Sequence, residues 1–209
     1  MTAQKARATP PHRRVTPRQK RGVEMRDALL EGTVELLRRE PSRRPTTQQL
    51  AQFAHVSIGT VYRYFADMEA IIDDLRKTAV HDITTELATG VGSAMDKDPM
   101  DAMVIVVETL TSAFERHAPV LRASFASDEA EFGDAWREVE GPLVPLARVL
   151  PARLRPDLEG GALDDLVFLT MGATASLCLR IALLRPERSD RQNLISTGAR
   201  MLLAAFDPT

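Results

Sequence analysis

Apolar residues recur along this chain at three- and four-residue steps, the period of helices that bury one face. Met25, Leu29, Leu30, Thr33, Leu36 and Leu37 predict a first helix from Arg18 or Gln19 to about Arg39, which Pro41, Ser42 and Pro45 end. Leu50, Ala51, Phe53 and Ala54 give a short second helix, and Ile58 to Phe65 a third. Ile71, Ile72, Leu75, Ala79, Ile83 and Leu87 hold a 3.6-residue period from Met68 to about Gly90, a strut of roughly 33 Å at 1.5 Å per residue. Gly90 to Asp98 reads as a linker. Pro99 suits the first turn of a helix that runs to about His117 on Met103, Val104, Val107, Leu110 and Phe114.

Further on, Pro119 opens a short helix through Phe125, and Asp128 to about Glu140 puts Phe132, Trp136 and Val139 on one face. Gly141-Pro142 interrupts, Leu143 to Leu154 continues helical despite Pro145, and Gly160-Gly161 closes the next loop. Leu163 to about Leu184 is apolar nearly all round, with Gly172, Ala173, Ala175 and Ser176 at its middle. A helix without a wet face must be covered on two sides. The final helix, about Asp190 to Phe206, carries the stripe Leu194, Ile195, Gly198, Met201, Leu202, Ala205 and Phe206.

Local chemistry marks the ends of the short helices. Thr46 and Gln49 have capping-box spacing, Ser57 is an N-cap for the third helix, and Asp67 caps the strut. Two short helices joined by His55-Val56-Ser57 have the helix-turn-helix pattern, whose second helix enters the DNA major groove. That helix carries Thr60, Tyr62, Arg63 and Tyr64, hydrogen-bonding groups dense enough to read base edges or grip phosphates. Charge agrees: residues 1–65 hold 13 Lys/Arg against 5 Asp/Glu, and the remainder 14 against 24. A basic N-terminal third carrying this motif is the footprint of a polyanion binder. Residues 1 to about 18, with Pro10, Pro11, Pro17 and six basic side chains counting His12, read as a disordered arm. Such an arm either is a solvated tail or follows the DNA backbone.

The run Val56-Ser57-x-Gly59-Thr60-Val61-Tyr62-x-Tyr64-Phe65, then Glu69 and Ile71-Ile72, resembles the DNA-binding signature of TetR-type transcriptional repressors. Two positions depart from it. Such proteins usually have Gly in the turn where this chain has His55, and a phosphate-holding Lys where it has Met68. The resemblance implies an all-α fold: an N-terminal three-helix helix-turn-helix DNA-binding domain and a C-terminal helical bundle for ligand binding and dimerisation. The expected division is residues 1–18, 19–66 and 67–209. The residues expected at DNA are Thr46, Thr47, Gln48, Ser57, Ile58, Gly59, Thr60, Tyr62, Arg63 and Tyr64. The flanking Arg43 and Arg44 touch phosphate or are simply solvated. Repressors of this type pair their last two helices as a four-helix bundle, so Ala173, Leu177, Leu194, Ile195, Leu202 and Phe206 are the expected homodimer contacts. The implied pocket collects Met103, Val107, Phe114, Leu121, Phe125, Phe132, Trp136, Phe168 and Met171, for an apolar effector that is neutral or cationic.

Other chemistry has little support. The sequence lacks HExxH, CxxC, GxSxG, P-loop and dinucleotide motifs, so no catalytic residue, metal or cofactor is expected. Cys178, the single cysteine, forms no internal disulfide and reads as inert core in a reducing cytoplasm. The longest uncharged apolar run, Leu166 to Leu179, is too short to span a bilayer. The competing readings are a helical protein-interaction module with a degenerate motif and, further off, a helical-bundle enzyme. The expectation is a cytoplasmic, dimeric repressor released from a double-stranded DNA operator by a small molecule.

Overall fold

A computed structural model describes residues 17–41, 43–125 and 140–207, and no strand occurs among them. The expected arm and the expected helix at 128–140 lie outside this range, apart from the arm's last two residues and Glu140. Three helices form the N-terminal unit: α1 (Pro17–Arg39), α2 (Thr47–Phe53) and α3 (Ile58–Tyr64). The body follows with α4 (Met68–Ala94), α5 (Pro99–Arg116) and α6 (Ala118–Phe125). A 3-10 turn at Gly141–Leu143 leads into α7 (Val144–Ala147) and α8 (Val149–Leu154), then α9 (Gly160–Leu184) and α10 (Arg191–Leu203).

Helix starts are set by side-chain caps that satisfy orphan N–H groups. At α2 the box is complete: the Gln49 amide donates to Thr46 Oγ1 at 3.2 Å and the Thr46 amide to Gln49 Oε1 at 2.8 Å. Asp67 accepts from the Ala70 amide at 2.8 Å, Asp98 from Met100 and Asp101 at 3.0 and 3.1 Å, and Asp190 from Gln192 at 2.9 Å.

The turn between α2 and α3 is closed by the backbone. His55 lies at φ +54, in the left-handed region. Its amide donates to the Gln52 carbonyl at 3.2 Å, and the Val56 amide to the Ala51 carbonyl at 3.0 Å. This pair of bonds is a Schellman motif, and the left-handed position is the one glycine normally fills. A side chain there costs roughly 1–2 kcal/mol of strain.

The strut runs further than its sequence suggested. α4 has 27 residues, about 40 Å, and passes straight through Gly90. Gly90 permits contact rather than breaking the helix: a Cβ there would lie 2.6 Å from Thr109 Oγ1 on α5. The expected linker therefore shrinks to the few residues after Ala94. The expected continuous helix over Leu143–Leu154 is instead α7 and α8. Pro145 and Pro151 each sit in the first turn of one of them, where a missing N–H breaks no helical bond.

One large apolar core runs from the N-terminal unit into the body, beside a small cluster of Leu37, Ile72 and Ala123. Leu29, Leu50, Val61 and Ile71 are fully buried at one end, and Val107, Phe114, Leu121 and Ile195 at the other. Each such side chain contributes about 1.5–3 kcal/mol. All six stripe residues of α4 are buried, so one helix face serves both ends. Replacing His55 by Gly should relieve the turn. Gly also gains freedom when unfolded, about 0.5–1 kcal/mol, so the expected net gain is about 0.5–1 kcal/mol in urea unfolding. A loss of stability would show that the side chain holds the turn by another means.

Candidate functional site

The outer surface of the N-terminal unit follows from which side of α3 is buried. Val61 is buried completely and Phe65 nearly so, which turns Ile58, Gly59, Tyr62 and Arg63 outward. Tyr62 is 54 % exposed and its hydroxyl lies 3.3 Å from Thr47 Oγ1, so the start of α2 and the middle of α3 share one face. Thr46 and Gln48 lie exposed on α2's first turn. Ser57 accepts from the Thr60 amide at 3.2 Å, and their hydroxyls lie 2.9 Å apart. At Gly59 a Cβ would meet only Ser57 Oγ at 3.8 Å, so the fold itself does not demand glycine there. Its bareness clears the outer face instead, leaving room for close approach by another backbone.

Tyr64 is placed differently from the rest. It is half-buried and packs against the core, with the Arg63 guanidinium over its ring at 5.1 Å. Met68 is also half-buried, near Leu37, Ile72 and Ala123, so it packs where a Lys would be free to reach out. Nor is Arg44 a solvated side chain. Its guanidinium donates to the Ala123 carbonyl at the end of α6, at 2.8 Å, and pairs with Glu69 at the start of α4. The α6 C-terminus thereby gains a donor for an orphan carbonyl, and the N-terminal unit is joined to the body.

The body holds an apolar cavity of about 70 Å³ between α4, α5, the 140–151 segment and α9. Met103, Phe114 and Met171, three of the residues that the resemblance implied for a pocket, line it together with Leu87, Val91, Leu143, Leu146, Leu150 and Phe206, which sequence reasoning placed elsewhere. Leu143, Leu146 and Leu150 share a three- and four-residue spacing, the one signal that was available for them. Three expected pocket residues are not at the cavity. Val107 and Leu121 are fully buried in the solid core, and Phe168 is 71 % exposed on the outside of α9. Phe132 and Trp136 lie outside the described residues, as does the side chain of Phe125. Cys178 is buried and donates weakly to the Val107 carbonyl, and burial pushes its thiol up to about 12, which makes it inert.

On the outside, α9 and α10 enclose an apolar groove of about 370 Å³ lined by Leu166, Leu169, Ala173, Leu177, Met201 and Leu202. Leu169 and Met201 are each 66 % exposed. Of the expected pairing residues, Ala173, Leu177 and Leu202 face this groove. Ile195 and Phe206 turn inward to the core, and Leu194 is half-buried against it. The stripe on α10 therefore serves two faces, and only its Met201–Leu202 edge looks out.

His117 is the C-cap of α5, at the α5–α6 junction. Burial is the largest influence and holds its imidazole below the ordinary value, outweighing Asp82, whose Oδ2 lies 3.6 Å away.

An all-helical fold displaying a capped recognition helix defines a helix-turn-helix DNA-binding protein. Residues 29–75 match the family model for bacterial regulatory proteins of the tetR family. No curated relative matches the chain. Among solved structures the fatty acid degradation regulator FadR of Bacillus halodurans shares the fold at a TM-score of 0.65, with 14 % identity over 91 % of this chain and 97 % of its own. FadR of Thermus thermophilus, a TetR-family repressor solved with lauroyl-CoA, gives 0.57 with 23 % identity over 85 % and 93 %. Residues 29–75 thus carry the DNA-binding region of the tetR family, and the chain shares the fold of TetR-family regulators.

Two outcomes follow. Tyr62→Ala should weaken DNA binding about 10-fold, the equivalent of one contact worth 1–2 kcal/mol, with unfolding unchanged, as read by fluorescence anisotropy. Tyr64→Ala should instead lose stability, because that ring is packed. For His117, the folded value lies below the unfolded ~6.5, so the unfolded chain takes up the proton first. Stability should be insensitive to this group above about pH 7 and fall as pH drops below ~6.5. His117→Gln should therefore lose less stability than the parent between pH 7.5 and 5.5 in urea melts. Equal losses would clear His117 of any part in the acid sensitivity.

Proposed function

We propose that this regulator is a homodimeric repressor that a small molecule releases from its operator. Residues 19–66 bind DNA, and residues 67–209 dimerise and hold the ligand. The observation that carries this reading is that α4 belongs to both sites. Ile71 and Leu75 pack into the core shared with α1 and α3, Ile72 packs with Leu37 of α1 and Ala123 of α6, and Leu87 and Val91 line the cavity about 24 Å further along the same helix. A ligand that fits the cavity better in one setting of α4 shifts the population of head positions by its differential affinity. A second connection runs through α6. Phe114 at the cavity leads into it, Arg122 donates from it to the Leu183 carbonyl at 2.9 Å, and Arg44 holds its far end against the head.

Dimerisation is supported by the outer face of α9 and α10. α9 is long and apolar enough to cross a membrane by length and composition, yet its Leu163, Val167, Cys178 and Ile181 side pack on the body. The opposite side leaves Phe168, Leu169 and the groove open, an apolar patch of the kind that marks an interface. A two-fold partner would cover it with the same patch. The recognition surface then comprises Thr47, Gln48, Ser57, Ile58, Gly59, Thr60, Tyr62 and Arg63, with Thr46 and Tyr64 acting by capping and packing. As the FadR proteins of Bacillus subtilis and Thermus thermophilus were solved with stearoyl-CoA and lauroyl-CoA, a ligand in the helical body is a reasonable expectation for this fold.

The test is oligomeric state and DNA retention measured together. Light scattering should give twice the chain mass without DNA. Ala173→Asp or Leu169→Asp should give folded monomers that bind DNA at least 10-fold more weakly, because an isologous contact meets each added charge twice. Leu202→Asp is a poorer probe, since that side chain is only 6 % exposed and belongs to the core as well. DNA binding by the parent should fall with salt at a slope of about −0.9 per phosphate neutralised. A monomeric parent, or salt-independent binding, would contradict the reading.

A further inference from the structure

Resting on the cavity reading above, we infer that the ligand is a small organic cation, an apolar body bearing one protonated amine. Glu140 is the one charged side chain that lines the cavity among the described residues, and no Lys or Arg does. It makes no hydrogen bond or ion pair with any other described residue. The remaining polar lining groups are Thr170 and Thr174. Their hydroxyls donate along α9, to the Leu166 and Thr170 carbonyls at 2.7 Å each, so toward the cavity they offer lone pairs only. Every polar group that the described residues place at the wall is therefore an acceptor or an anion, and an ammonium, with three donors and no acceptor, is its complement.

Anionic head groups are disfavoured for the same reason. A carboxylate would face Glu140 and hydroxyl lone pairs without a donor. Among the described residues, the basic side chains beside the lining segments are already engaged: Arg148 pairs with Asp164, and Arg153 donates to the Ala94 and Lys97 carbonyls at the end of α4. No base among them is left for the phosphates of an acyl-CoA. Size points the same way. The cavity of about 70 Å³ lies well below the ~300–1,000 Å³ of sites that enclose drug-sized ligands, so a short body suits it better than a long acyl chain.

Four probes separate the possibilities in calorimetric titrations of the full-length protein: n-hexylammonium, 1-hexanol, hexanoate and lauroyl-CoA. The expected order is hexylammonium tightest, hexanol about 10-fold weaker, and hexanoate and lauroyl-CoA without measurable binding. Glu140→Gln should weaken hexylammonium about 10-fold and leave hexanol unchanged. The proposal is overturned if hexanoate or lauroyl-CoA binds as well as hexylammonium, or if Glu140→Gln leaves hexylammonium binding intact. Hexanol binding without an advantage for the ammonium removes the charge preference but keeps the cavity as a ligand site. Failure of hexanol and hexylammonium alike removes both.

Discussion

Everything described in this chain depends on one stiff helix having to serve both ends of a shared core with a single stripe. The 27 residues of α4 present Ile71, Ile72 and Leu75 to the DNA-binding unit and Ile83, Leu87 and Val91 to the body. Because helical hydrogen bonding makes this span about 40 Å of nearly incompressible rod, a change at one end is transmitted as tilt. Close packing adds the second half of the constraint. Gly90 lets α4 and α5 touch at Thr109, so tilt cannot be absorbed at that crossing. Arg26 and Asp74 pair α1 to α4, and Arg44 ties the α1–α2 loop to Glu69 and to the end of α6. In the proposed switch the recognition helix moves with the strut.

What sequence reveals about this molecule is what local chemistry decides. Thr46, Ser57, Asp67 and Asp98 cap helices because a short polar side chain can reach its own following amides, a fact of three or four residues. His55 falls in the left-handed turn for the same kind of reason. The α4 stripe is legible because one period covers both ends of the core. Gly90 misleads, since a glycine that ends a helix and a glycine that admits a neighbouring helix look alike in sequence, and only Thr109 distinguishes them. Proline is more informative: Pro99, Pro145 and Pro151 all sit in first turns, although the latter two divide what reads as one helix.

Sites assembled from several elements are harder to read. The cavity draws Leu87 from the strut, Leu143 and Leu146 from a broken segment and Phe206 from the C-terminal turn, and no spacing links them. The resemblance implied a pocket at Val107 and Leu121 as well, yet apolar side chains that fill a core and those that border a void are chemically the same. Orientation around α9 and α10 poses a similar difficulty. A helix apolar on all sides does not say which side its own body covers, so Phe168 was assigned inward and Ile195 and Phe206 outward, the reverse of their burial. Tyr64 likewise shares its residue type with Tyr62 but packs against the core.

The central claim is that two copies of α3, held by a two-fold body on paired struts, read DNA together. Selection of binding sites from a pool of random duplex DNA by the full-length protein addresses it directly. The account predicts enrichment of an inverted repeat whose half-site centres lie about 10 base pairs apart, or a multiple of one helical turn. An enriched single half-site without a repeat, or no enrichment above the starting pool, would contradict it.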